Sequence, residues 1–204
     1  MIRMLLIGPP GAGKGTQASF IAERLGIASI STGEIFRQNV NNKSPLGLEA
    51  ESYISSGKFV PDAVTNGMVR DRLGHTDAQH GFLLDGYPRT AAQADFLDEI
   101  LAENGNELDL VLQLTADTEE LVQRLLRRAE SEGRVDDTAE IIRHRMALYF
   151  EQTTAVTSRY SERGILSLVE GMGSVFDVSE RITAAIDVAL SSARHFYTVG
   201  EPCS

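Results

Sequence analysis

The chain is poor in the residues that cross-link a protein or anchor it in a membrane. It has no tryptophan and a single cysteine, Cys203, in 204 residues, so an internal disulfide framework is excluded. Such a composition suits a reducing compartment, and we expect the cytoplasm. No apolar run approaches the roughly 20 residues that a membrane-spanning helix needs. The N-terminus leads directly into an apolar run, so we also expect no signal or transit peptide.

Positive charge is scarce as well. The formal net charge is −10 at pH 7, and no basic tract is present to suit a general nucleic-acid binder. The cations are 16 arginines and three lysines, Lys14, Lys43 and Lys58. Arginine binds phosphate oxygens in pairs through its planar fork. A GC-rich genome would explain the ratio as well, so the positions of the arginines carry more weight than their number.

A glycine-rich loop follows the first apolar run, Met4–Ile7, and residues 8–16 read Gly-Pro-Pro-Gly-Ala-Gly-Lys-Gly-Thr. Glycines let successive backbone N–H groups turn around an anion, and Lys14 adds a mobile positive charge. The next helix, predicted from the apolar period that starts at Ala18 and ending at Gly26, points its N-terminal dipole at the same place. The loop therefore predicts a site for a nucleoside polyphosphate. Its residues are Gly11, Ala12, Gly13, Lys14, Gly15 and Thr16.

The order Gly-Lys-Gly-Thr departs from the commoner loop, in which Ser or Thr follows the lysine directly. With Gln17 added, the stretch resembles the loop of the adenylate kinase family of nucleoside monophosphate kinases. The resemblance continues in the family's order and approximate spacing over about residues 1 to 170. Its later segments are Ser31–Arg37, Gly57–Pro61, Gly81–Thr90, and Gly133–Asp137 followed by Arg143 and Arg145.

Short apolar runs that are typical of buried strands alternate with helical patterns. The predicted strands are Met4–Ile7, Ala28–Ile30, Phe82–Leu84, Leu110–Leu114 and Ile165–Val169. Capping boxes are predicted for Ser31 with Glu34 and for Asp117 with Glu120. This alternation indicates an α/β fold with a parallel sheet, helices on both faces and ligands at the carboxyl ends of the strands.

The resemblance makes that fold more specific. It implies a P-loop kinase with a five-stranded parallel sheet flanked by helices. Residues 1–31, 61–127 and 141–204 would form the core, residues 32–60 a helical monophosphate-binding insertion, and residues 128–140 a short lid. The lid segment has no cysteine, and the four histidines show no ligand spacing, so we expect no zinc.

Asp85 ends the third predicted strand, where a carboxylate can hold Mg²⁺ through its water shell with Thr16 on the opposite side. The alternative for Asp85 is a turn or helix-capping role. The expected cofactor is Mg²⁺ brought with ATP.

The resemblance also assigns the arginines. Arg37 and Arg89 match family positions that bind the phosphate of the monophosphate, and Arg124 and Arg128 match those that close on the triphosphate. Positions that reach the transferred group and the acceptor phosphate are matched by Arg134 and Arg145, whereas Arg127 and Arg143 match no motif position as well. For any one arginine, a solvent-exposed or ion-paired role is the alternative. The implied catalytic set is Lys14, Arg89, Arg124, Arg134 and Arg145.

Two residues bear on the acceptor base. Thr32 stands where adenine-accepting members carry threonine and pyrimidine-specific relatives usually carry alanine, and Gln93 matches the glutamine that reads the adenine edge. The alternatives are an ordinary first-turn threonine and a glutamine on a solvated helix face. The implied AMP-binding residues are Thr32, Arg37, Lys58, Val60, Gly86, Arg89, Gln93, Arg134 and Arg145.

The resulting expectation is a monomeric enzyme that transfers the γ-phosphoryl group of Mg-ATP to AMP, giving two ADP reversibly, with no nucleic-acid or membrane partner. One alternative is a kinase for another monophosphate, such as UMP or CMP, or one that uses GTP as donor. Another is a nucleotide-binding module that has lost turnover. Arg37, Arg89 and Asp85 together argue against such a module, because a mere binder needs no clamp for an acceptor phosphate.

Overall fold

The computed structural model describes residues 1–132 and 138–198, with side chains for residues 1–131 and 138–191. Arg134, the rest of segment 133–137 and Cys203 lie outside the described residues. No helix in the two described ranges is long and apolar enough to cross a membrane.

The fold is built on one parallel sheet. Its strands are β1 (Arg3–Ile7), β2 (Ala28–Ser31), β3 (Phe82–Asp85), β4 (Leu110–Thr115) and β5 (Leu166–Glu170), in the order β2-β3-β1-β4-β5. All five predicted strands are present, with ends within one residue of the prediction. The chain leaves β1 toward β2 and β3 on one side and later toward β4 and β5 on the other. A switch of this kind opens a crevice at the carboxyl ends of the central strands.

Helices fill the connections between the strands. The first half of the chain contributes α1 (Lys14–Leu25), α2 (Thr32–Asn41), α3 (Pro45–Ser55), α4 (Asp62–Leu73), a 3₁₀ turn at Ala78–His80, and α5 (Ala91–Ala102). The second half contributes α6 (Thr118–Glu132), α7 (Ala139–Leu148), a π-helical turn at Tyr149–Thr153, α8 (Thr154–Glu162) and α9 (Val175–Thr198). The segment 32–60 is helical without a strand, as predicted.

Two apolar clusters form the core around the sheet, one on each of its faces. Met4 and Leu6 of β1 pack on the face covered by α1, α6 and α9, while Leu5 and Ile7 pack on the face covered by α4, α5 and α8. Alternate residues of a strand point to opposite faces, so a strand with two buried faces is apolar throughout. The helices of segment 32–60 have a smaller apolar cluster of their own, centred on Phe36, Ala50 and Val60.

The helix starts correct one of the predicted capping boxes and confirm half of the other. Ser31 makes no side-chain cap for α2, so the predicted capping box with Glu34 is wrong; its hydroxyl is turned to the carboxylate of Asp85, 3.4 Å away. Asp117 does cap α6, since its Oδ1 accepts from the N–H groups of Glu119 at 2.9 Å and Glu120 at 3.1 Å. The side chain of Glu120 pairs with Arg124 at 3.1 Å, an ion pair that takes the place of the box's return bond.

Candidate active site

The loop between β1 and α1 is closed by its own lysine. Lys14 Nζ donates to the carbonyl oxygens of Gly8 at 2.8 Å and Pro9 at 3.0 Å. Gly13, with a φ of +82°, precedes the first helical residue, and it lines the cleft together with Gly11, Gly15 and Thr16. Ala12 is placed differently. Its side chain is buried in the core and its N–H donates to Pro9 O at 3.2 Å, so it does not line the cleft.

A cleft of about 590 Å³ extends from this loop across the carboxyl ends of the strands. Cations from five different elements and loops reach it. Its charged lining residues are Lys14, Glu34, Arg37, Asp85, Arg89, Arg124, Arg128 and Arg145. By contrast, Arg127 and Arg143 are exposed and are not among its lining residues. The cleft is therefore a strongly cationic pocket in an acidic chain.

Burial, together with the charges of neighbouring cations, lowers the pKa of two of these groups, Lys14 and Arg89. Burial, opposed by Asp85 and assisted by Arg89, Arg145 and Arg128, lowers the pKa of Lys14 from 10.5 to about 8. Burial and the neighbouring charge of Arg145 likewise lower the pKa of Arg89 to about 10, against the opposing effect of Asp85. Shifts of this kind in a cleft are typical of a functional site, and a bound polyanion would reverse them.

Two carboxylates line the described part of the cleft, the exposed Glu34 and the buried Asp85. Asp85 is the one suited to a metal ion. It is buried, with 8 % of its surface exposed; Oδ2 accepts from Ser31 Oγ at 3.4 Å, and Oδ1 has no hydrogen-bond partner among the described residues. Thr16 lines the same cleft. An unpartnered carboxylate oxygen and a hydroxyl in the same cleft fit the donor set that Mg²⁺ takes through its water shell. Within residues 1–131 and 138–191, no cluster of three or more histidine, cysteine or carboxylate side chains is suited to a metal ion.

A second, smaller cavity of about 80 Å³ lies between the helical segment 32–60 and the core. It contains all the predicted AMP-binding residues except Arg134, which lies outside the described part. These are Thr32, Arg37, Lys58, Val60, Gly86, Arg89, Gln93 and Arg145. The structure therefore brings together, in one cavity, residues that are as far apart in sequence as 32 and 145.

Gly86 is the junction of this cavity. Its carbonyl oxygen accepts from Thr32 Oγ1 at 3.0 Å and from Arg89 Nε at 2.8 Å. Its φ is +81°, and a Cβ added there would lie 2.8 Å from Thr32 Oγ1, so only glycine fits. Thr32 does lie in the first turn of α2, but its hydroxyl donates to the carbonyl oxygen of Gly86. The guanidinium of Arg89 also lies over the ring of Phe59, 5.0 Å from its centroid.

Gln93 is buried, with 2 % of its surface exposed, which excludes the solvated helix face as an alternative. Its Oε1 accepts from the backbone N–H of Arg89 at 2.8 Å, and its Nε2 donates to Asp62 Oδ1 at 2.7 Å. One lone pair and one N–H of the amide are left for a ligand.

The structure adds residues that the sequence analysis missed. Arg124 donates to the carboxylate of Glu120 and to the carbonyl oxygen of Gly171, each at 3.1 Å. The ring of Phe59 packs against Arg89. The carboxylate of Asp62 accepts from Gln93. Phe59 lies inside the Gly57–Pro61 motif and Asp62 directly follows it, so their closeness to the motif indicated that both could lie near the site. The contact between Glu120 and Arg124 was readable from their i, i+4 spacing.

Comparison with known proteins agrees with this geometry. The family model described as "Adenylate kinase" matches residues 6–165. A protein named adenylate kinase from Pseudarthrobacter chlorophenolicus is 62 % identical over 189 residues, covering 93 % of this chain and 98 % of the relative. One of the same name from Renibacterium salmoninarum is 61 % identical over 187 residues, covering 92 % and 97 %. A third, from Thermobifida fusca, is 50 % identical over 185 residues, covering 91 % and 98 %.

Proposed function

Because the chain belongs to the adenylate kinase family, and its activity is that of an adenylate kinase, we propose that the two cavities described above are its ATP and AMP sites. The γ-phosphoryl group of Mg-ATP would pass to AMP between them, giving two ADP in a reversible reaction. The large cleft at the glycine-rich loop would hold the donor, and the cavity beside segment 32–60 would hold the acceptor.

The observation that carries this proposal is that the two cavities share part of their lining. Arg37, Arg89 and Arg145 line both, together with Gly86. A phosphoryl group that leaves one nucleotide for the other must cross such a boundary. Three arginines at that place suit the charge that spreads over the transferred group and the acceptor phosphate.

Each side chain then has a definite task. An oxygen of the AMP phosphate attacks the γ-phosphorus, the bond from that phosphorus to the β–γ bridging oxygen breaks, and the bridging oxygen keeps the electron pair as ADP leaves. Lys14 would release its loop carbonyls and follow the migrating charge, while Arg89 and Arg145 neutralise the equatorial oxygens. Arg124 and Arg128 would bind the triphosphate.

Mg²⁺ comes as part of the donor substrate and neutralises the charge on the β- and γ-phosphates. Asp85 and Thr16 would hold it through water. Oδ1 of Asp85, which has no partner among the described residues, is the atom that supports this assignment.

The finer points belong to the same proposal. Residues 32–60 would act as the AMP-binding insertion and residues 128–140 as the lid, which includes Arg134 outside the described residues. We further propose that the protein works as a monomer in the cytoplasm and takes no zinc. Light scattering across a range of concentrations would test the monomer.

The experiment that tests the function is a coupled assay for ADP, with ATP as donor and AMP, UMP and CMP as acceptors. We expect kcat/KM for AMP to exceed that for UMP and CMP by at least about 10²-fold, the scale on which a site rejects a base that leaves its buried polar groups unpaired. Equal turnover of AMP and CMP would remove the adenine assignment. Absence of turnover with every acceptor would contradict the proposed phosphoryl transfer.

A further inference from the structure

The amide of Gln93 is held in one orientation by two groups of opposite hydrogen-bonding character. The backbone N–H of Arg89, 2.8 Å from Oε1, can only donate. The carboxylate of Asp62, 2.7 Å from Nε2, can only accept when it is ionised. An amide turned by 180° would place its NH₂ against the N–H and its oxygen against the carboxylate. Since Gln93 is buried, water could not relieve either mismatch.

Asp62 is itself fixed. It is the first residue of α4, where the helix dipole favours a negative charge. Its second oxygen, Oδ2, accepts from Thr90 Oγ1 at 2.9 Å, and Thr90 Oγ1 in turn accepts from the backbone N–H of Gln93 at 3.1 Å. The carboxylate therefore connects the start of α4 to the start of α5 and holds Gln93 at that junction.

We propose that Asp62 is a positioning residue that makes the acceptor site select adenine against 6-oxopurines, by fixing which end of the Gln93 amide donates. This rests on the proposed function, in which Gln93 reads the base edge. With the observed orientation, the remaining N–H of Nε2 meets the N1 acceptor of adenine and the remaining lone pair of Oε1 meets its 6-amino group. Hypoxanthine presents the reverse pattern, a proton on N1 and an acceptor at O6. A freely turning amide would accept both bases, whereas a fixed one accepts adenine alone.

The test compares AMP with inosine monophosphate (IMP) as acceptors in the wild type and in Asp62→Asn. An asparagine amide can donate as well as accept, so in this variant only the N–H of Arg89 still opposes the turned amide. Since a hydrogen bond to a charged group is among the stronger ones in proteins, we expect the ratio of kcat/KM for AMP to that for IMP to fall at least about tenfold. Part of the fall would be a gain in IMP turnover, which a merely destabilised enzyme would not show. The KM for ATP should stay within about twofold.

Thr90→Val is the matched control. It removes the other contact of Asp62 and the cap of α5, which destabilises the same junction by an amount typical of a lost cap, yet it leaves Asp62 facing Gln93. Its AMP to IMP ratio should stay within about twofold of the wild type. A ratio that falls equally in Thr90→Val, or one that does not fall in Asp62→Asn, overturns the proposal.

Gln93→Leu separates this proposal from the function on which it rests. We expect it to raise the KM for AMP and to abolish most of the preference over IMP, with ATP binding nearly unchanged. If Gln93→Leu leaves the preference intact, Gln93 does not read the base, and the proposed acceptor site fails. If Gln93→Leu abolishes the preference while Asp62→Asn keeps it, only the role of Asp62 is lost.

Discussion

Lys14 is held by its own loop, because its ammonium group donates to two carbonyl oxygens there. These contacts keep the charge at the opening of the loop. Replacing Lys14 by methionine keeps most of the side-chain volume and removes the charge. We expect turnover to fall by about 10³-fold or more, since stabilisation of developing charge by such a group is commonly worth several kcal/mol. Steady-state assays with ATP and AMP measure this.

The control for this variant is Lys43→Asn, at an exposed lysine whose φ of +50° asparagine tolerates. It should keep wild-type turnover. Circular dichroism and thermal unfolding would show that both variants fold. Near-normal turnover in a folded Lys14→Met protein would contradict the role of Lys14 in phosphoryl transfer.

The depressed pKa of Lys14 also predicts a proton linkage. With a pKa of about 8, the free enzyme at pH 9 holds Lys14 mostly neutral. A bound triphosphate favours the ammonium form and raises that pKa, so ATP binding at pH 9 should take up as much as about one proton per enzyme. At pH 6.5 Lys14 is charged in both states, and its contribution vanishes. Calorimetric titrations in buffers of different ionisation enthalpy measure the uptake, which Lys14→Met should lack; equal uptake in that variant would assign the proton to another group.

The positions and contacts of some single residues could be predicted from the sequence, and those of others could not. Lys14 and Thr16 were readable because the glycine-rich loop fixes them by local backbone geometry. The partners of Gln93 were not, since Asp62 and Gln93 meet across two helices and no local pattern encodes that contact. Ser31 shows the opposite failure: its spacing to Glu34 suits a capping box, but the hydroxyl meets Asp85, a residue that β3 brings alongside β2.

At the scale of elements, the helical segment 32–60 touches the helix that carries Arg145. Gly57, buried at the end of the segment and with a φ of +71°, lies against α7 so closely that a Cβ added there would be 2.7 Å from Ile141 Cγ2. The proposed AMP-binding insertion is therefore in contact with α7, the helix that directly follows most of the proposed lid segment 128–140. Closure of these parts would exclude water from the transferred group.

We therefore predict that a ligand joining ATP and AMP through their phosphates slows hydrogen exchange in α2, α3 and α7 together. Mass spectrometry of peptides from these helices gives the exchange rates with and without the ligand. Peptides from β1 and β4, whose residues are mostly buried on both faces, serve as the internal reference and should change little. Unchanged exchange in both α2–α3 and α7 would argue against closure.

Elements were easier to predict than their junctions. The strands appear in the sequence as short apolar runs because both faces of the sheet are covered, and the pattern needs no knowledge of the neighbours. The acceptor cavity arises where segment 32–60, the β3–α5 connection and α7 meet. The residues that line this cavity could be predicted from the sequence only because each of these segments carries a motif of a known family.

For the whole molecule, the distribution of charge explains how an acidic protein can bind polyanions. Away from the cleft, arginines are neutralised by carboxylates, as in Arg24 with Asp187, Arg70 with Glu103 and Arg72 with Asp77. Asp98 similarly pairs with both Arg159 and Arg163. The net charge of −10 is thus carried by the rest of the surface, while the cations that line the cleft give it a local positive potential.

This arrangement predicts a large gain in stability when the cleft is filled. A ligand that joins the two nucleotides binds only the folded protein, so it should add about 2.7 kcal/mol to the free energy of unfolding at 100 times its Kd. It should also raise the Tm more than ATP and AMP added separately at the same concentration, because one molecule fills both cavities and the translational and rotational freedom lost on binding is lost once rather than twice. Differential scanning calorimetry at fixed ionic strength measures the shift, and Lys14→Met should show a smaller one. An equal Tm with the joined and the separate nucleotides at matched, subsaturating concentrations would mean that the two cavities do not act as one site.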